Sequence, residues 1–371
     1  SKASKAYEVP TPFGYPVQDR PDGLMAELQW YLEEFLDYPY HPETKHAERV
    51  LTSLKSWGEA AFCALFDARD SGGFLDEAIK DGYHNLQLRV ISDDPKVQAW
   101  PWEALRDPKA DCLAHACQVE RRMDSVRDPV TLHPKLPKDQ INILLVTARP
   151  FTDDVAYQSV SGPLVEMIEA ESLPAQVHVL RPPTFAHLVE HLRERPGFYH
   201  VVHFDGHGAL DGQGGNPNQH AFRAEGRLVF EDARGEPDIK SVDQLGPLLR
   251  EHNIPCVVLN ACQSGMHDAN GDDPFASVAS ALLKAGIRSV VAMAYSLYVS
   301  GARKFLPDFY RQLFARGSVA EGVRAGRQAM LSSKNRLSAS TPYPLEDWLV
   351  PVLYQQEPLD FSFAAAAKKD G

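Results

Sequence analysis

Two segments of this chain bring together residue types that can do nucleophilic chemistry. Tyr199 to Gly208 (YHVVHFDGHG) reads as a buried strand running into His207, which stands between Gly206 and Gly208. Pro255 to Gly265 (PCVVLNACQSG) reads as a second such strand running into Cys262. A free thiol is only a few per cent thiolate near neutral pH, and an imidazole beside it can take its proton and later return one to a leaving amine. The pair therefore suits attack on an acyl carbonyl, with Cys262 as nucleophile and His207 as general base. Gly208 leaves room for a substrate backbone, and the N–H groups of Gly208 and Cys262 are natural donors to a developing oxyanion.

Positioning these residues requires neighbouring strands whose carboxyl ends share one edge, where active sites of open parallel sheets collect. The pattern supplies candidates. Apolar runs without polar alternation occur at 141–147, 177–180, 199–204, 256–259 and 289–294, with a last strand near 349–354. Helical spacing fills 162–170, 184–193, 242–252 and 274–285 between them, and 302–315 and 319–331 after them. Buried strands alternating with helices signal a parallel sheet covered on both faces. Ahead of them, 24–36 and 47–66 have amphipathic helical spacing and 86–91 alternates as a strand. The Pro- and charge-rich stretch 124–140 reads as a connector, and the Gly-rich stretch 209–220 after His207 as a mobile loop.

Simpler readings compete for each residue. A strand-end cysteine alone is usually a small core hydrophobe, but packing does not explain its pairing with a glycine-flanked histidine. Cys256, inside the strand, is expected in the core. Cys117, in HACQVE, imitates the run Asn260 to Gln263 but lacks a following glycine and a histidine in a comparable loop, and is a decoy. His203 precedes His207 by one helical turn, yet the β-branched run around it argues strand, so a metal pair is not expected. Asp205 either tunes His207 or makes a structural hydrogen bond. A cysteine phosphatase would need an Arg six residues after its nucleophile; position 268 is Asp.

Composition narrows the classes. A chain of 371 residues, 44% hydrophobic, has enough material for a substantial α/β core. Its formal charge of -12, without a basic run, argues against gripping nucleic acid. No apolar stretch approaches bilayer length. Five irregularly spaced cysteines do not make a disulfide framework, which suits a reducing, cytoplasmic setting. The Cys112–His115–Cys117 cluster lacks the second half of a zinc site. The opening SKASKAYEVPTPFGYP reads as linker, so the chain is expected to be cut from a longer polypeptide.

HFDGHG and VVLNACQSG resemble the His and Cys motifs of CHAT domains, relatives of caspases, separases and gingipains. The interval from His207 to Cys262 is similar to the His-to-Cys interval of roughly 50 residues in caspases. LQWYLEEF, WGEAAFCALF, LRVISDDPKVQAWPWEAL and EDWLVPVLY resemble the surrounding stretches, so the resemblance spans about residues 24 to 355. It implies a caspase-like, mostly parallel α/β sheet with helices on both faces, and an N-terminal α/β half packed against a protease half. The corresponding division is 1–23 linker, 24–123 N-terminal part, 124–140 connector, 141–360 protease half and 361–371 tail. It further implies a cysteine endopeptidase working through a His–Cys dyad, with no third acidic residue required and no cofactor or metal. The expected partners are one protein substrate and an upstream sensor or regulatory part; a catalytically silent CHAT binding module is the alternative. Met293, Ala294, Tyr295 and Ser296 would line the substrate cleft. Tyr295 and Ser296 depart from the Trp and the following Pro or Asp common in relatives, which leans towards a neutral or apolar P1 residue. Asp347 would either add charge there or stand as a solvated loop carboxylate.

Overall fold

The computed structural model describes the backbone of residues 6–67, 69–152, 154, 158–210, 226–262, 274–338 and 341–361. The N-terminal part supplies strands β1 (Gln87–Ile91) and β2 (Gln118–Arg122). The apolar runs that follow form β3 (Ile141–Thr147), β4 (Ala175–Val179) and β5 (Val201–Leu210). Next come β6 (Gly226–Glu231) and β7 (Pro237–Ser241), then β8 (Cys256–Cys262) and β9 (Ser289–Met293). A small hairpin of β10 (Asn335–Leu337) and β11 (Pro342–Pro344) precedes β12 (Pro351–Gln355).

Among the described residues, ten of these strands form one sheet in the order β1-β2-β12-β9-β8-β5-β3-β4, with β6 and β7 attached to the far end of β5. Strands β9, β8, β5, β3 and β4 are mutually parallel, as are β1, β2 and β12. The two blocks meet where β12 runs antiparallel to β9, pairing Pro351 with Met293. The first 123 residues thus join the same sheet, through β2 and β12, rather than building one of their own.

Each central strand is apolar on both sides because both faces are covered. Ile143, Val201, Val258 and Val291 belong to one core, and their neighbours Leu144, Val202, Val257 and Val290 to the other. The first core is closed by α1 (Gly23–Glu33), α2 (Glu43–Phe66) and α3 (Arg69–Ala78). A single turn, α4 (Pro95–Gln98), leads towards β2, and α5 (Gln158–Ala170) adds to the first core. The second core lies under α6 (Phe185–Glu194), α7 (Val242–Glu251) and α8 (Pro274–Ala285). Finally α9 (Val299–Arg316) and α10 (Val319–Ser332) return to the first. Local chemistry sets the ends: Thr184 accepts the His187 N–H at 3.1 Å to start α6. Gly317 closes α9 at φ 74°, where a side chain would also meet the Phe361 carbonyl.

One buried ion cluster joins the N-terminal part to the rest. Arg121 of β2 grips Glu103 with two bonds of 2.6 and 2.8 Å, and Arg327 of α10 adds a third at 2.8 Å. Burial raises the Glu103 carboxyl, but the two guanidinium groups outweigh it and hold the group below its ordinary range. Removing one partner of such a cluster would cost about 3–5 kcal/mol by stranding a buried charge.

Several elements differ from expectation. Strand β5 continues through His207 to Leu210, because β6 pairs with its far end (His207 with Val229), so the histidine lies in a strand rather than a turn. Gly206 is needed there for packing: a Cβ would stand 2.8 Å from the Phe204 ring. Residues 211–220 of the expected loop lie outside the described residues.

Candidate active site

Strands β5 and β8 are neighbours, paired in register from Val201 with Cys256 to His207 with Cys262. Paired positions on adjacent strands are about 4.8 Å apart, so the fold sets the backbones of the two expected residues side by side at the carboxyl end of the sheet. Cys262 is the last described residue of β8, and Gly208 is paired with Leu228 of β6.

The His207 ring is nearly buried, 9% exposed, and its Nε2 bonds the carboxylate of Asp154. A carboxylate only accepts, so Nε2 is the donor of this bond and Nδ1 is the ring nitrogen that the bond leaves available. Asp154 is itself held by a tight turn after β3: Phe151 N–H donates to its Oδ2 at 2.9 Å, and its own N–H to the Phe151 carbonyl at 3.2 Å. The Phe151 ring stands edge-on to the imidazole, 4.9 Å between centroids. Neither residue was singled out in the sequence, and the resemblance required no third acid. The signal was nonetheless present: RPFTDD directly follows a buried strand whose carboxyl end shares the same edge.

Asp205 makes the structural bond. Its Oδ1 accepts from Asn260 Nδ2 at 2.9 Å, and its Oδ2 lies 2.8 Å from Arg149. Arg149 also donates to the carbonyls of Asp205 and Ala148, while its N–H reaches Glu231. Burial raises the Asp205 carboxyl, and Arg149 works against that. Three chain segments are thereby tied together one strand period before His207 and Cys262.

Met293 ends β9 wholly within the core, so its side chain does not line an open cleft. Ala294 donates its N–H to Val350 O at 2.9 Å, Tyr295 is buried, and Ser296 donates its N–H to Glu33 Oε1 at 2.7 Å. Asp347 is not a solvated carboxylate: it is 1% exposed and bonded twice to Arg336, at 2.6 and 2.7 Å. Burial, opposed by Arg336, pushes it up to about 6. Its charge is committed to structure: it opens the single tight turn Asp347–Leu349, and Gly301 of α9 lies close against its Oδ2.

The competing cysteines and histidine are core groups. Burial pushes the Cys256 thiol up to about 12 and the Cys117 thiol to about 11, far from a reactive thiolate. His203 is wholly buried against Tyr310, and burial brings its pKa down to about 3. Among the described residues no group of three or more His, Cys, Asp or Glu could hold a metal ion. Among them, too, no helix is long and apolar enough to cross a membrane.

No curated protein matches the chain. A chain of the Saccharomyces cerevisiae separase–securin complex is similar at 14% identity and TM-score 0.37, over 88% of this chain and 20% of that one. The Arg-specific cysteine proteinase gingipain R is similar at 11% identity and TM-score 0.46, over 91% of this chain and 74% of that one. This chain therefore spans a fifth of the length of the first of these structures. A family model described as CHAT domain matches residues 64–358, most of the sequence and both strand-end motifs. The chain belongs to the CHAT domain family.

Proposed function

We propose that this protein is a cysteine endopeptidase that cleaves a specific protein through a thioester acyl-enzyme. The observation that carries the reading is the register pairing of His207 with Cys262 at the carboxyl edge of adjacent parallel strands. His207 takes the thiol proton through Nδ1, and the Cys262 sulfur adds to the scissile carbonyl. The C–N bond then breaks as the imidazolium returns the proton to the leaving amine. A water molecule, deprotonated by the same imidazole, hydrolyses the thioester and frees the thiol. Asp154 orients the ring and stabilises the imidazolium, as the acid does in serine-protease triads. The N–H groups of Gly208 and Cys262 receive the oxyanion. No metal or cofactor takes part in these steps.

The chain that follows β9, Ala294 to Ser296, forms one wall of the substrate cleft, next to the end of β8. A regulatory part upstream, in a reducing cytoplasmic setting, belongs to the same proposal. So does the division into linker to 23, N-terminal part to 123, connector to 140, protease half to 360 and tail. Cleavage of proteins encoded beside this one, mapped by mass spectrometry, tests the reading: Cys262→Ala and His207→Ala should each abolish it. Undiminished cleavage by either variant would overturn it.

A further inference from the structure

The match to the family begins at residue 64, yet α1, well before it, holds both the loop after β9 and the turn before β12. The end of α1 makes three ties to them, and a fourth bond within the helix supports one of these. Glu33 Oε1 accepts the Ser296 N–H at 2.7 Å, and the Glu33 carbonyl accepts the Tyr298 hydroxyl at 2.8 Å. Gln29, one turn earlier, donates to the other Glu33 oxygen at 3.0 Å and fixes the carboxylate's rotamer. Tyr31 Oη accepts the Glu346 N–H at 3.1 Å.

Ser296 and Tyr298 belong to the loop after β9, and Glu346 to the turn before β12. Because β12 is antiparallel to β9, with Pro351 opposite Met293, both loops emerge at the edge that carries His207 and Cys262. A carboxylate that accepts a backbone N–H makes a charge-assisted bond, stronger and more directional than a neutral one. It fixes the loop's path rather than merely packing against it.

We propose that Glu33 is a positioning residue for substrate binding. Through its two bonds to the loop after β9, α1 acts as an outer brace of the cleft wall. The proposal rests on the protease reading and adds to it an element outside the matched family region. Glu33 does not touch the thiol or the imidazole, so it should govern how a peptide seats, not how Cys262 reacts.

The full chain is labelled at Cys262 in parallel by iodoacetamide, which needs no cleft, and by a mixed-P1 library of tripeptidyl acyloxymethyl ketones, which does. Glu33→Ala should slow labelling by the peptidyl library about tenfold, the worth of one charge-assisted hydrogen bond, and leave the iodoacetamide rate unchanged. Glu33→Gln, which keeps an acceptor of the same shape, should lie between and serves if the alanine variant does not fold. Equal rates for both reagents in the variant and the parent, or an equal fall in both, would overturn the proposal. If the parent's own labelling by the peptidyl library is insensitive to Cys262→Ser, the protease reading fails instead.

Discussion

Asn260 donates to Asp205 at 2.9 Å across β8 and β5, one strand period before the pair His207 and Cys262. A slip of one residue between these strands would separate the two reactive positions and turn every side chain to the opposite face. The bond fixes the register where it matters most, and Arg149 anchors it to the end of β3.

Asn260→Ala leaves the buried Asp205 oxygen without its donor, which should cost about 1–3 kcal/mol of stability. It should also slow labelling of Cys262 by a peptidyl probe at least tenfold. Urea denaturation and probe kinetics on the same preparations check both. A stability loss with unchanged labelling would show that the bond does not align the site.

Asp154→Asn replaces an obligate acceptor with a group that can also donate, so the imidazole is no longer held with its proton on Nε2. Turnover should fall by as much as about ten-thousandfold, the loss seen when a triad acid is replaced by its amide, while the melting temperature changes little. Full turnover would mean that His207 and Cys262 work as an unassisted dyad.

His203 gives the fold a pH dependence independent of the active site. The unfolded chain's imidazole takes its proton near the ordinary value of about 6.5, whereas the folded one does so only near 3. Between these values the unfolded state binds more protons, so stability falls as pH falls. This group contributes a slope of about 1.4 kcal/mol per pH unit. His200, brought down to about 4 by burial, adds in the same direction. Urea denaturation at pH 7, 6 and 5 should show the slope, and His203→Gln should reduce it by one proton's worth.

The parts of the fold legible in the sequence are those where composition and environment agree. β3, β8 and β9 are mainly apolar without polar alternation because helices cover both faces. β2 was hidden because its buried residues include Glu120 and Arg121, polar in type and tolerated only through distant partners such as Gln355 and Glu103. β7 exposes alternate residues and opens with Pro237, and α3 contains Gly72 and Gly73, residues of low helix propensity. The side-by-side placement of His207 and Cys262 was legible because strand-end motifs leave a local pattern. Asp154 and Glu33 were not, since each acts on its partner across the fold from an aperiodic turn or a helix end.

The pairing of His207 with Cys262 predicts that the histidine activates the thiol. The most direct measurement is the pH profile of Cys262 alkylation by iodoacetamide, read at that residue by mass spectrometry, in the parent protein and in His207→Ala. The parent should alkylate with an apparent thiol pKa well below the free value of about 8.5, and the variant's profile should move up to or above it. Superimposable profiles would contradict the assignment of His207 as the base for Cys262.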